Sequence, residues 1–93
     1  MKRKRFTSVW DAIEHEPAAA ENLKLRSSLM LALKRYIERE GLTQTEAARV
    51  FGVTQPRISN LVHGKINSFG LDLLVRMATT ASLRVSMKIE KAA

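Results

Sequence analysis

The residues best suited to chemistry in this chain are polar and close together. Gln55, Pro56, Arg57, Asn60 and His63 share one short stretch, with Gln44 and Arg49 upstream and Lys65 just beyond. An arginine guanidinium can make two parallel hydrogen bonds to O6 and N7 of guanine, and Gln or Asn carboxamides pair similarly with adenine. On a helix that enters a major groove by its first turns, Gln55, Arg57 and Asn60 would meet base edges, each pair contributing ~1–3 kcal/mol of discrimination. Pro56 either touches a thymine methyl or stiffens the turn. His63 has a plainer alternative as a surface or cap histidine, and Arg49 and Lys65 read equally as phosphate clamps or as surface charge.

Other chemistries find little support. The 93 residues contain no cysteine, so there is no disulfide framework, thiolate metal site or thiol nucleophile, and the composition fits a reducing cytoplasm. The two histidines, His15 and His63, are far apart and have no metal-ligand spacing around them. No glycine-rich phosphate loop or nucleophile with a recognisable base appears, so no enzyme, metal or cofactor is expected. The longest apolar run, Leu29 to Leu33, is far short of the ~20 residues that span a bilayer. The basic N-terminus lacks the apolar stretch of a signal peptide. The net charge of +7 points to a polyanion, and its distribution is more specific. Lys2 to Arg5 carry +4, residues 6–23 carry −4, and residues 24–93 carry +7.

The elements that would position the polar cluster are helical. Residues 17–40 are rich in Ala, Leu, Lys, Arg and Glu, and Leu25, Leu29, Ala32, Leu33, Tyr36 and Ile37 form an apolar stripe spaced by 3 and 4. Gly41 ends that helix. Thr43 with Glu46 makes a T-x-x-E capping box for a helix at about 44–51 that buries Ala47, Ala48 and Phe51, with Ala48 expected directly under the next helix. Gly52 turns the chain, and Thr54 caps a helix at about 55–63 whose inward residues are Ile58, Leu61 and Val62. Pro56 is tolerated in its first turn. After Gly64, Ser68 is expected to cap a fourth helix over about 69–80, with Leu71, Leu74, Val75 and Ala78 inward. Two short helices joined by a three-residue turn containing glycine make a helix-turn-helix.

Over roughly residues 25–80 the sequence resembles the phage-repressor-like (XRE, or Cro and lambda-repressor-like) family. The resemblance lies in the Leu42-Thr43-Gln44 entry, Ala48, Gly52, Thr54-Gln55, Ile58 and Leu61, and the Gly64-Lys65 exit. It implies a mainly α, lambda-repressor-like bundle of four to five helices. It also implies that Gln44 and Lys65 meet the DNA backbone, while Gln55, Arg57 and Asn60 fall on base-reading positions. Pro56 stands where that family is often polar. More narrowly, Phe6 to Ile13, Asn22 to Ser27, Thr54-Gln55-Pro56-Arg57 and Leu83-Arg84-Val85 are similar to the HigA-type antitoxins. That similarity implies a dimeric repressor of its own operon that neutralises a small RelE-like ribonuclease toxin.

The two ends complete the organisation into 1–16, 17–82 and 83–93. Phe6, Val9, Trp10 and Ile13 line one face of a short helix at about 8–15. They either pack on the helix at 17–40 or fill a groove on a basic toxin, flanked by acidic residues that include Glu14. At the other end Leu83, Val85, Met87 and Ile89 alternate with polar residues, the pattern of a half-buried strand. With no second strand in the domain, it is expected to pair with its copy in a homodimer; Arg5 to Ser8 or a frayed tail are the alternatives. Such a dimer would bind an inverted-repeat operator in double-stranded DNA. A stand-alone regulator without a toxin and a pure protein-interaction module remain as competing functions.

Overall fold

The computed structural model describes residues 16–92. The expected N-terminal helix and its residues Phe6, Val9, Trp10, Ile13 and Glu14 lie outside that range. Four α-helices, α1 (Pro17–Glu40), α2 (Gln44–Phe51), α3 (Gln55–Val62) and α4 (Leu71–Thr80), are joined by short connections, with a 3-10 turn at Ile66–Ser68. Helix α1 is the long strut, with Pro17 in its first turn. Helices α2 and α3 pack on each other, and α4 closes the bundle against both α1 and α2.

Local chemistry sets the boundaries. Thr43 Oγ1 accepts from Glu46 N at 3.1 Å, and the Thr43 N–H donates to Glu46 Oε1 at 2.8 Å, a complete capping box. Thr54 Oγ1 accepts from Arg57 N at 3.3 Å and starts α3. Such caps contribute ~1 kcal/mol each by satisfying amides that have no intrahelical partner. All four helices end by one device. The chain turns through a left-handed residue, and the next N–H returns to the carbonyl five residues back: Leu42 to Ile37, Val53 to Ala48, Lys65 to Asn60 and Leu83 to Ala78, at 2.8–3.0 Å. The left-handed residue is glycine at 41, 52 and 64 and Ser82 at the last, with φ of 63°.

The core lies where the four helices meet. Met30, Leu33 and Ile37 come from α1, Ala47 and Phe51 from α2, Ile58 and Leu61 from α3, and Leu74, Met77 and Ala78 from α4. Tyr36 sets its ring edge-on to Phe51, with centroids 5.9 Å apart. No charged or polar residue is buried among the described residues.

Several details differ from the sequence reading. Leu25 is 40% exposed and Ala32 is exposed, while Met30 takes a core place the expected stripe omitted. Met30, Leu33 and Ile37, spaced by 3 and 4, define the buried face of α1; Leu25 precedes it and Ala32 points about 130° away from it. Ala47, with no exposed surface, occupies the enclosed position expected of Ala48, which is half-buried at the core's edge. Ser68 does not cap α4: it ends the 3-10 turn, and Gly70 precedes the helix without a side-chain cap. The reason is Phe69, which is extended and 1% exposed. Driving that ring into the core requires a straight step between turn and helix. The inward face of α4 is correspondingly Leu74, Met77 and Ala78, with Val75 40% exposed.

Residues 83–92 carry no helix or strand, so the expected strand of Leu83, Val85, Met87 and Ile89 is absent from the single chain. A ladder needs a second row of amides and carbonyls, and none of the described residues offers one. Leu83 and Val85 are half-buried against the core, whereas Met87 is 70% and Ile89 96% exposed.

Candidate nucleic-acid interface

Helix α3 sits on α2 through a turn only Gly52 fills comfortably. Its φ is 68°, and a β-carbon there would meet Thr80 Cγ2 at 3.2 Å. Strain and crowding both favour glycine, and the angle between α2 and α3 depends on it. Gln55 Nε2 donates to Thr45 Oγ1 at 2.9 Å, tying the first turn of α3 to the first turn of α2. The start of α3 thus stands beside the start of α2, and Gln44, Thr45, Gln55 and Pro56 are all exposed there.

Ile58 and Leu61 define the direction in which α3 faces the core. At ~100° per residue, Pro56 and His63 point roughly opposite to it, and Ser59 and Asn60 lie about 130° away. Gln55 stands about 90° from that axis and Arg57 about 70°. Asn60 is half-buried, while His63 and Lys65 are exposed. His63 behaves as a cap: its Nδ1 lies 2.7 Å from Ser59 O and 3.4 Å from Ser59 Oγ, beside the left-handed Gly64 turn. Arg49 is exposed on α2.

Arg57 behaves differently from its neighbours. Its Nη1 donates to Ser68 O at 2.9 Å, and the guanidinium lies 5.8 Å from the Phe69 ring centroid. The side chain is therefore turned along the protein toward the 3-10 turn. Sequence reasoning placed Arg57 among outward groups from its place in the first turns of the helix and from the family pattern. The signal against that was its position four residues before the core residue Leu61.

Three further polar residues that the sequence reading did not single out lie on α3 or at the turn that follows it. Ser59 shares the outward face of α3, and Asn67 is exposed at the tip of the 3-10 turn. Arg26, half-buried on α1, donates from Nη1 to Ile66 O at 3.2 Å and Phe69 O at 3.3 Å, while its Nε donates to Asn22 Oδ1 at 2.7 Å. A residue 40 positions away in sequence from its acceptor leaves no local pattern to read. Among the described residues there is no group of acidic, His or Cys side chains able to hold a metal, and no helix long and apolar enough to cross a membrane.

The assembled surface is a polar helix face beside a second helix start, with Arg49 and Lys65 exposed and the Glu46 carboxylate held in the α2 cap. Comparison with known proteins agrees with that architecture. The family described as a helix-turn-helix domain matches residues 13–90. A solved structure named "Putative XRE Family Transcriptional Regulator" is 30% identical, with a TM-score of 0.71 over 78% of this chain and 82% of its own. A comparison with curated proteins finds no match. The protein is a member of the helix-turn-helix domain family, of the XRE type.

Proposed function

We propose that the protein is a sequence-specific DNA-binding transcriptional repressor that also acts as the antitoxin of a RelE-like ribonuclease toxin and represses its own operon. The observation that carries the DNA-binding half is the outward face of α3, held upright by the Gly52 turn and the Gln55–Thr45 bond. Gln55, Pro56 and Asn60 meet base edges in the major groove, Gln44 and Lys65 meet phosphates on either side, and His63 caps the end of the helix. Arg57, engaged with Ser68, stands apart from this set.

Two copies pair through residues 83–90, placing two α3 helices about one DNA turn, ~34 Å, apart on an inverted repeat. What supports this is an unsatisfied apolar edge: Met87 and Ile89 are exposed, beside a groove of about 400 Å³ whose lining includes Leu29, Tyr36, Leu83 and Val85. The antitoxin half rests on the sequence of the N-terminal segment. Phe6, Val9, Trp10 and Ile13, with Glu14 and its acidic neighbours, suit a groove on a basic toxin. A stand-alone regulator is the second reading, in keeping with the similar solved structure, which is named as a transcriptional regulator.

A footprint on the protein's own upstream DNA, with and without a co-purified RelE-like partner, tests all three parts. Protection of an inverted repeat that weakens steeply with salt is the expected result. Salt-insensitive or absent protection would leave only a protein-interaction role, and failure to form any complex with the partner would remove the antitoxin half.

A further inference from the structure

Two arginines from different helices converge on the turn that follows α3. Arg57 reaches it from α3 through Ser68 O, and Arg26 reaches it from α1 through Ile66 O and Phe69 O. Two of the turn's carbonyls, and that of Phe69 directly after it, therefore accept from guanidinium groups. Phe69 lies under the Arg57 guanidinium with its ring sealed in the core, so the turn is fixed from both sides. Lys65 and Asn67 project into solvent from the same turn. A flexible turn would have to be ordered before Lys65 could grip a phosphate, whereas a braced one is already in place.

We infer that Arg57 is a positioning residue for DNA binding, one that works through the turn and Lys65 and does not read a base. This rests on the DNA-binding reading above. The geometry separates it from Asn60: Arg57 lies about 70° from the direction of the core and Asn60 about 130°. A guanidinium that left Ser68 to reach a guanine would abandon a charge-assisted hydrogen bond and its stacking on Phe69.

The test compares the full-length protein with Arg57→Met, Arg57→Lys, Lys65→Ala and the Arg57→Met/Lys65→Ala pair. Each is titrated with a duplex of its own upstream DNA, and with every single-base-pair variant of the protected site, at several salt concentrations. Methionine keeps most of the buried stem, so the fold is retained, as a thermal melt will verify. Arg57→Met is expected to weaken all duplexes by one common factor, roughly ten-fold for a lost charged hydrogen bond. Its base-preference profile should superimpose on that of the wild type, and its salt slope should fall toward that of Lys65→Ala. In the Lys65→Ala background the same change should have a much smaller effect, because the two residues act in series. Arg57→Lys should recover part of the loss.

Loss of discrimination at one base pair in Arg57→Met would overturn the inference and restore Arg57 as a reader. Full additivity with Lys65→Ala, or unchanged affinity, would overturn it as well. Absence of salt-sensitive binding by the wild type would instead sink the DNA-binding reading, and this inference with it.

Discussion

If α3 is the recognition helix proposed above, Asn60 and Lys65 meet different parts of a duplex, and their substitutions should separate cleanly. Asn60 stands on the outward side of α3 and carries a carboxamide suited to adenine. Asn60→Ala is expected to cost ~1–3 kcal/mol on the operator and to relax preference at one base pair in each half-site. Lys65→Ala should weaken all sequences uniformly and reduce the salt slope by about 1. Competition binding against a set of single-base variants measures both. A uniform loss for Asn60→Ala would move that residue from the bases to the backbone. The positions of Asn60 and Lys65 were legible in the sequence because the Gly52 turn and the Gly64 end fix the bounds of α3. The Arg57–Ser68 contact was not, because the acceptor belongs to a turn whose path depends on Phe69 entering the core.

At the scale of elements, the helix ends offer matched tests of one physical idea. Gly52 and Ser82 both adopt left-handed backbone, one as glycine and the other as an L residue with a side chain. Gly52→Ala introduces strain of ~1–2 kcal/mol, and its β-carbon presses on Thr80 as well. A fall in melting temperature of about 5–15 °C should follow. DNA affinity should fall further than stability, since the turn sets the angle between α2 and α3. Ser82→Gly relieves strain of the same kind, offset in part by the greater freedom of glycine in the unfolded chain. Its net effect is a gain of about 0.5 kcal/mol, a small rise in melting temperature readable by calorimetry. A loss of stability there would mean that the serine side chain contributes something its backbone does not show. Both boundaries of α2 and the start of α3 could be read from Thr43, Glu46, Gly52 and Thr54, because caps act within a few residues. The start of α4 could not be read that way: Ser68 is a suitable cap residue overridden by burial of a phenylalanine.

For the whole molecule the open edge is the C-terminal segment. Leu83 and Val85 rest on the core, while Met87 and Ile89 face solvent. Replacing Met87 and Ile89 together by Lys should turn a dimer into a monomer in sedimentation and weaken binding to the inverted repeat much more than to a single half-site. The melting temperature of the helical domain should move little, because neither side chain reaches its core. A dimer that survives the double change would exclude pairing through this segment. At the other end, Trp10→Ala should weaken toxin binding and leave the melting temperature of the free protein nearly unchanged. A large drop would place Trp10 in the core.

What the sequence determined by itself was local. Helix type, caps, the Gly52 turn and the outward polar face of α3 all follow from spacings of a few residues, which is the range over which backbone hydrogen bonding and helical period act. The family followed too, because those short-range features occur together in one order. Only the tertiary structure decided which of several apolar residues on α1 and α4 are sealed, and that Ala47 rather than Ala48 is enclosed. It also set Phe69 as the plug between turn and α4, and gave Arg26 and Arg57 to the turn's carbonyls. These choices depend on groups brought together across long stretches of chain, where burial of a ring outweighs a local cap and a part-buried carbonyl draws a nearby guanidinium.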